Sequence, residues 1–343
     1  MLNRAACVRI LKGKLYQRSP TIPPVILRRA PLFCSEGSES EIRGNSAKVK
    51  DAVLIASERS RDSAAAAEAT KRRLPERGVR LVESLTVPNS AAACKAAKRA
   101  IKSGHRLIIV VGGDGAITTA VKAFAYKKAV LAVVPAGTGN SFALNLGLRT
   151  VDDALEAIVS GREVEVDLGV VNGTYFANIT ALGLTSEIAS ETQRGLKRIA
   201  GVAAYGFAAV KPLVTHKPFR TRLKWDKNSL DFETHQALVA SGRYFGHEAL
   251  LPDASIDDGL LSFFATASAG RTDMLRTYFA LLRGSQTLLR NAHFFQAKKI
   301  SVKCKPRQLI TIDGKAIAKT PAKFSIARRA LRVMMPQAAG DDE

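Results

Sequence analysis

The sequence predicts an α/β fold with two domains, a parallel three-layer α/β domain followed by an antiparallel, β-rich domain. Its 343 residues are enough for two such domains, and 46% of them are hydrophobic, which suffices for a large core. Strand-like and helical segments alternate up to Gly161, whereas strand-like segments dominate after it. Two neighbouring strands of the first half each end in a glycine-rich turn.

The elements of the first domain follow from apolar runs and their boundaries. Asn89 caps a helix that Gly104 stops. The runs Leu107–Val111 and Val130–Val134 are apolar and largely β-branched, which is typical of strands covered on both faces. In chain order, we predict a strand at residues 51–56, a helix at 61–77, a strand at 79–84, a helix at 89–103, a strand at 107–111, a helix ending near 126, a strand at 130–134, a helix carrying Phe142, Leu144 and Leu146, and a helix at 152–161.

The second half contains many short strands and few helices. Asn172-Gly173 is a strong signal for a two-residue hairpin turn between strands at 164–171 and 174–179. Further strands are predicted at residues 220–225, 231–241, 260–267, 300–304, 308–312 and 323–332, and only the segments 183–214 and 272–291 are predicted to be helical. Such a run of strands indicates an antiparallel domain.

The charge of the chain implies an anionic partner. The 52 Lys and Arg residues exceed the 30 Asp and Glu residues by 22, which fits nucleic acid, an acidic lipid surface or a phosphorylated substrate. The basic residues form separate groups with few aromatic residues among them, so we expect no nucleic-acid partner. These groups include Arg220, Arg222 and Lys224, then Lys298, Lys299, Lys303, Lys305 and Arg307, then Arg328, Arg329 and Arg332.

The composition also disfavours a zinc or redox-cysteine protein and a membrane-spanning protein. The four cysteines lack the spacing of a zinc or redox site, which favours a reducing compartment. No stretch approaches the roughly 18–20 apolar residues of a membrane span. Membrane contact is therefore expected to be peripheral.

The first 34 residues are rich in arginine and contain no acidic residue, since the first one is Glu36. This composition predicts a mitochondrial presequence, and the alternative is a disordered basic tail of a cytoplasmic protein. Residues 35–48 are polar and have the composition of a linker. We therefore assign residues 1–48 to a presequence and linker, and residues 337–343 to a tail.

The first glycine-rich turn is Gly112-Gly113-Asp114-Gly115. Glycines at a strand end allow close approach of a phosphate, and the following helix directs free N–H groups at it. The turn matches neither the dinucleotide fingerprint nor the Walker A loop. A carboxylate at such a turn is repulsive unless a metal or a proton-donating substrate neutralises it, and the alternative role of Asp114 is that of a helix cap.

The second glycine-rich turn is Pro135-Ala136-Gly137-Thr138-Gly139-Asn140. Thr138 and Asn140 offer a hydroxyl and an amide that suit phosphate oxygens or a ribose, although each also suits a turn or a helix cap. Because the two turns follow neighbouring parallel strands, their tips are expected to converge at one edge of the sheet. The pair predicts a nucleotide site.

In these two turns, the chain resembles the diacylglycerol kinase/sphingosine kinase catalytic family. The resemblance extends in order through Asn178–Leu184, Pro252-Asp253-Ala254, Asp257–Leu261 and Ile312-Asp313-Gly314, from about residue 50 to residue 336. It implies an N-terminal three-layer α/β domain similar to NAD kinase and phosphofructokinase, at residues 49–162. It also implies a C-terminal antiparallel β-sandwich at residues 163–336 that holds part of the lipid site, with a last strand that returns to the first domain.

The resemblance assigns roles position by position. The implied nucleotide-binding residues are Thr86, Gly112, Gly113, Asp114, Gly115, Gly137, Thr138, Gly139 and Asn140. The implied magnesium site uses Asp258 with the main-chain carbonyls of Ser255 and Leu260, where an Asp-Asp-Gly sequence is otherwise a common turn. The implied catalytic carboxylates are Asp114 and Asp313.

The chain departs from the family pattern at its presumed base. The family sequence Asp-Gly-Glu is here Asp313-Gly314-Lys315, and a charged lysine cannot accept a proton. Either Asp313 or Asp114 is then the base, or catalysis is weakened or lost, and Lys315 is also suited to bind phosphate. The residues that usually follow the first turn are replaced by Ala116, Thr118 and Thr119.

These observations predict an ATP- and Mg²⁺-dependent lipid kinase acting on a sphingoid long-chain base or diacylglycerol, held on an anionic membrane by its basic surface. Pro135-Ala136-Gly137 favours the sphingoid base, because its usage resembles that of sphingosine kinases. The alternatives are a soluble-substrate kinase similar to NAD kinase and a catalytically impaired protein that binds lipid or nucleotide. The oligomeric state is not predictable from these features.

Overall fold

The computed structural model describes residues 9–11, 14–16, 50–58, 62–195, 202–245, 248–249, 254–283, 285, 289 and 291–337. It contains an α/β domain with a parallel sheet and a second domain with the antiparallel sheets of a β-sandwich, which confirms the predicted fold class. Most of the predicted presequence, the linker and most of the C-terminal tail lie outside the described residues. Within that N-terminal segment, two short strands are described, β1 (Arg9–Leu11) and β2 (Lys14–Tyr16).

The first domain has a parallel sheet between two layers of helices. Its elements are β3 (Lys50–Ser57), α1 (Ser63–Arg73), a 3₁₀ turn (Pro75–Arg77), β4 (Val79–Val87), α2 (Ser90–Lys102), β5 (Leu107–Gly112), α3 (Asp114–Phe124), β6 (Val130–Pro135), α4 (Ser141–Asn145) and α5 (Val151–Ser160). The strands pair in parallel in the order β4-β3-β5-β6. Every residue of β5 and β6 is buried, because helices cover both faces of these central strands.

The second domain is built from antiparallel strands. Its elements are β7 (Arg162–Val171), β8 (Thr174–Phe176), β9 (Ile179–Gly183), α6 (Leu184–Gly195), α7 (Val202–Thr215), β10 (Phe219–Trp225), β11 (Asn228–Thr234), β12 (Gln236–Ala240), β13 (Tyr244–Phe245), β14 (Glu248–Ala249), β15 (Leu261–Thr266), α8 (Arg271–Leu282), β16 (Ala292–Ala297), β17 (Lys299–Lys305), β18 (Leu309–Ile312), β19 (Lys315–Lys319) and β20 (Ala322–Met335). One sheet has the order β19-β18-β9-β12-β15-β16-β1-β2, and the other begins β11-β10-β17-β20. Their facing side chains form one apolar core, which includes Phe263, Phe295 and Phe324.

The last strand, β20, is shared by the two domains. Its first residues pair with β17, and most of its length pairs with β7. Arg332 and Val333 then lie opposite Val130 and Leu131 of β6, in parallel. The parallel sheet of the first domain and one sheet of the sandwich are therefore a single ten-stranded sheet.

The single strand predicted at 231–241 is wrong, because the chain forms two strands there. β11 pairs with β10 in one sheet, and β12 pairs with β9 and β15 in the other. The chain bends at His235, where the Thr234 hydroxyl donates to the Gln236 carbonyl and accepts from the Gln236 N–H. Local hydrogen bonds of this kind interrupt a ladder without changing the apolar pattern that predicts a strand.

Two further elements differ from the prediction. The helix predicted at 272–291 ends at Leu282, and the apolar strand β16 that comes after this segment was not predicted. Periodicity does not separate a buried strand from a helix in a short apolar run. The strand β19 was not predicted because it is a lysine-flanked edge strand with little buried surface.

Candidate active site

The two glycine-rich turns touch each other. Gly112 and Pro135 end neighbouring strands, and the Ala136 N–H donates to the Gly112 carbonyl at 3.0 Å. A methyl group on Gly137 would lie 2.4 Å from the Cα of Gly113. No side chain fits between the two loops, and their tips meet at one edge of the sheet as the sequence predicts.

Asp114 ties the first turn to the second. It begins α3, and its Oδ1 accepts a hydrogen bond from the Phe142 N–H at 3.2 Å. Its Oδ2 accepts from the Ser141 hydroxyl at 3.4 Å. Both contacts join the start of α3 to the start of α4.

The side-chain amide of Asn140 bonds within the second turn, and contact of Asn140 with a nucleotide stays a prediction. Its side chain accepts from the Gly137 N–H at 2.9 Å and donates to the Gly137 carbonyl at 2.8 Å. The residue has a positive φ of 50°, which asparagine tolerates better than most residues. Its amide therefore closes the second turn on itself, while Thr138 stands exposed at the tip of the same turn.

Thr86 lies near the end of β4, on the same edge of the sheet as the glycine-rich turns. It is exposed and pairs with Ala56 of β3. Two strand spacings separate β4 from β5, which corresponds to about 10 Å. Contact of Thr86 with a nucleotide stays a prediction.

Asp313 occupies the turn between β18 and β19 and belongs to the second domain. Its Oδ1 accepts from the N–H groups of Asn178 (3.3 Å) and Ile179 (3.1 Å), and its φ is 45°. Burial raises the pKa of this carboxyl group to about 6, and the negative charge of Asp114 adds to the rise. The fold therefore brings the two predicted catalytic carboxylates within electrostatic reach, from positions 199 residues apart in the chain.

Lys315 reaches across to the first domain. Its ammonium group donates to the Thr119 hydroxyl at 2.7 Å and contacts the Gly115 carbonyl at 3.4 Å. Thr119 in turn donates to the Gly115 carbonyl. The lysine that replaces the family's glutamate thus holds the first turn of α3 against the β18–β19 hairpin.

The predicted metal loop is internally bonded. Asp258 Oδ1 accepts from the Leu260 N–H at 2.8 Å, and Oδ2 lies 3.3 Å from both the Ser255 N–H and the Gln296 side-chain amide. Burial raises the pKa of Asp258, and the charge of Asp167 contributes to the rise. No group of three His, Cys, Asp or Glu side chains suited to a metal occurs in the described residues. One carboxylate with two carbonyls fits only a cation that keeps several waters, as Mg²⁺ does.

Several contacts that join the domains were not predicted. Asn145 Oδ1 accepts from the N–H groups of Arg243 and Tyr244 at 2.8 and 3.2 Å, and its Nδ2 lies 3.3 Å from Asn178 Oδ1. A methyl group on Gly242 would lie 2.7 Å from Asn145 Nδ2. Asn178 belongs to a motif of the resemblance, but Asn145 has no sequence signal because its partners are main-chain groups of a distant loop.

The segment 183–214, which is predicted to be helical, is described only in part, since residues 196–201 lie outside the described residues. In α7, Ala209 packs with Leu184, Ile188 and Met274 in a small apolar cluster. Val210 and Val214 are more than half exposed. One side of α7 therefore packs in an apolar cluster, and other apolar residues of the same helix are exposed.

Two family models match the chain. The diacylglycerol kinase catalytic domain matches residues 51–171, and the YegS C-terminal NAD kinase beta sandwich-like domain matches residues 178–335. Together they cover nearly all of the described core.

Curated relatives and a solved structure agree with these models. The chain is 29% identical to a diacylglycerol kinase of Bacillus subtilis over 250 residues, which is 71% of this chain and 82% of the relative. It is 28% identical to a diacylglycerol kinase of Staphylococcus saprophyticus over 251 residues, covering 72% and 82%. The crystal structure of a diacylglycerol kinase from Bacillus anthracis superposes with a TM-score of 0.65 over 85% of this chain and 99% of that one, at 18% identity, and shares its fold.

Proposed function

Because this chain belongs to the diacylglycerol kinase family, we propose that it transfers the γ-phosphoryl group of ATP to the hydroxyl of diacylglycerol or of a sphingoid long-chain base. The lipid oxygen forms a bond to the γ-phosphorus, and the bond from that phosphorus to the bridging oxygen of ADP breaks. The hydroxyl proton passes to a carboxylate of the protein. Lipid phosphate and ADP are the products.

We assign the ATP phosphates to the paired glycine-rich turns. Gly112, Gly113 and Gly115 carry no side chains, which allows the polyphosphate to approach the backbone of the first turn. Gly137 and Gly139 supply the same kind of surface from the second turn, with the exposed Thr138 hydroxyl between them. Thr86 lies where it is suited to meet the nucleoside side of ATP.

We assign the general base to Asp313. Its raised pKa, about 6, lies close enough to neutral pH for efficient proton transfer while the group is largely ionised at pH 7. Asp114 is less suited, because its oxygens hold Ser141 and Phe142. The position of Asp313, held by the N–H groups of Asn178 and Ile179 and within electrostatic reach of Asp114, is the observation that carries the proposal, since it supplies an acceptor in place of the missing glutamate.

A divalent cation accompanies ATP in this family, and we propose Mg²⁺. Asp114 is the carboxylate that would hold it, because it lies in the first glycine-rich turn, next to the second, and its charge is unfavourable beside Asp313. The cation would supply charge neutralisation on the phosphates. The loop of Ser255, Asp258 and Leu260 is proposed as a second, structural magnesium site.

Two substrates are compatible with the proposal. The curated relatives are named diacylglycerol kinases, which favours diacylglycerol. The Pro135-Ala136-Gly137 turn favours a sphingoid base. In the described residues no helix has both the length and the apolar character needed to cross a bilayer.

The test is a transfer assay with γ-labelled ATP, Mg²⁺ and a panel of diacylglycerol, sphingosine and NAD. We expect label in one of the two lipids and none in NAD. Transfer of the label to NAD would indicate that the protein is a soluble-substrate kinase and not a lipid kinase. Binding of ATP or lipid without transfer would instead indicate a protein that Lys315 has made inactive, and Asp114→Asn serves as the inactive reference.

We also propose that residues 1–34 direct the protein to mitochondria. The support is their arginine-rich, acid-free composition. A fusion of residues 1–48 to a fluorescent protein is expected to enter mitochondria. Diffuse cytoplasmic or membrane-associated fluorescence would support the cytoplasmic alternative.

A further inference from the structure

Basic residues from three distant segments meet on one face of the sandwich. The strands β10, β17 and β20 are adjacent in that order, and their inward residues, such as Leu223, Val302 and Phe324, lie in the core. Alternate residues therefore point to solvent. The exposed cations on this outer face are Arg220, Arg222, Lys224, Lys299, Lys303, Lys305 and Lys323.

The strand register forms a groove among three of these lysines. Ser301 of β17 lies directly opposite Lys224 on one side and Lys323 on the other. Lys299 lies opposite Ser325 in the next outward row. The groove has a volume of about 400 Å³ and is lined by these five residues together with Asp226 and neighbouring backbone.

The positive charge of the face is only partly compensated. Arg222 forms a two-pronged ion pair with Asp231, and Arg220 lies opposite Glu233. None of the three groove lysines makes an ion pair with any residue that the structure describes. Seven cations against two acidic residues on the neighbouring strand and Asp226 at the groove leave a strong net positive potential.

We propose that this outer face docks on the anionic headgroups of a phospholipid membrane, with a headgroup phosphate in the groove between Lys224, Lys299 and Lys323. The inference rests on the proposed function, because a lipid kinase must reach a substrate held in a bilayer. Nucleic acid fits less well: the aromatic residues Phe219, Trp225 and Phe324 of these strands are buried and offer no ring for base stacking.

The test is sedimentation of the full-length protein with vesicles, in the absence of ATP. Vesicles of phosphatidylcholine with phosphatidylglycerol are compared with pure phosphatidylcholine. The groove variant carries Lys224→Gln, Lys299→Gln and Lys323→Gln. A matched control carries Lys95→Gln, Lys98→Gln and Lys102→Gln on the exposed side of α2, which removes the same charge.

We expect wild type and the α2 control to bind the anionic vesicles, and the groove variant to bind about 100-fold more weakly, since each basic residue at such a surface contributes roughly a factor of five. Equal weakening in both variants, or none in the groove variant, would overturn the proposal. So would binding of a single-stranded RNA that the groove variant loses while its vesicle binding persists. Because no phosphoryl transfer is measured, an inactive kinase would leave this result intact.

Discussion

At the scale of single residues, Asp313 has the property most altered by folding. An isolated aspartate is ionised well below neutral pH, whereas burial and the charge of Asp114 raise the pKa of Asp313 to about 6. The N–H groups of Asn178 and Ile179 favour the ionised form and limit the rise. The result is a proton acceptor suited to work near neutral pH.

The pH dependence of activity tests this assignment. We expect kcat/KM for the lipid to fall below about pH 6, tenfold per pH unit, because protonated Asp313 cannot accept the hydroxyl proton. The measurement is a rate profile at saturating ATP and Mg²⁺. An acid limb near pH 4 would mean that a carboxyl group with an ordinary pKa is the base.

Asp313→Asn is expected to separate activity from stability. Between pH 4 and 6 the unfolded chain binds fewer protons at this position than the folded chain does. The free energy of unfolding therefore falls as the pH rises to and through the pKa that Asp313 has in the folded protein. The variant removes this cost and keeps an Oδ1 acceptor at a tolerated positive φ. At pH 8 it should be more stable by about 1–3 kcal/mol in urea unfolding, with kcat lowered roughly 10²–10⁴-fold.

The comparison at pH 4 is the internal control for that prediction. Both proteins carry a neutral group there, so the difference in unfolding free energy should largely disappear. A gain that is equal at pH 4 and pH 8 would show that the raised pKa is not its cause.

Lys315→Met tests the contact between Lys315 and α3. The change removes the bond to Thr119 and the contact with Gly115, which hold the first glycine-rich turn and α3 against the second domain. A hydrogen bond to a charged group contributes about 1.5–3 kcal/mol, so kcat/KM for ATP should fall by at least roughly tenfold. Lys319→Met, at the exposed far end of β19, is the matched control and should be near wild type.

At the scale of elements, the site depends on how closely β5 and β6 place their turns. The two strands are paired along their whole length, so their last residues are fixed side by side. Gly113 and Gly137 then meet without side chains between them. The close approach therefore depends on glycine at both positions.

Gly137→Ala is expected to spread the two turns. Its methyl group would lie 2.4 Å from the Gly113 Cα, and backbone must move to relieve the contact. Overpacking of this kind costs about 1–3 kcal/mol, so ATP should bind at least roughly tenfold more weakly in calorimetry with Mg²⁺. Gly270→Ala, where the nearest atom is 3.7 Å away, is the control, and equal loss in both variants would contradict the explanation.

At the scale of the whole molecule, β20 makes the two domains one folding unit. It forms ladders with strands of both, and Leu331 within it is fully buried in the core of the first domain. Asn145 and Lys315 add polar contacts across the cleft. The active site therefore requires both domains to be folded together.

Leu331→Ala tests this coupling. The cavity should cost about 2–5 kcal/mol. Trp225, the single tryptophan, lies in the core of the second domain and stacks on Phe295, so its fluorescence reports that domain alone. We expect the fluorescence and far-UV circular dichroism midpoints to fall together. A midpoint for Trp225 that stays at its wild-type value would show that the domains unfold independently.

Local sequence patterns predict much of the architecture. The apolar runs of β5 and β6 and the glycines after them predict a parallel sheet with phosphate-binding turns. The prediction is possible because buried strands require apolar residues and tight turns require glycine. The division of residues 231–241 between two sheets is not visible in the apolar pattern, since the chain bends through two hydrogen bonds of the Thr234 hydroxyl. Lys315 was recognised as a departure, but its partner Thr119 was not foreseen.

The amino-acid order thus specifies which groups the chain carries and which segments are buried. Only the tertiary structure brings Asp313 beside Asp114 and Lys315 onto α3, and gathers scattered lysines into one groove. The physical reason is that pKa values, ion pairs and surface potentials depend on distance in space and on exclusion of water. These quantities are set when β18, β19 and β20 pack against a domain that precedes them by more than a hundred residues.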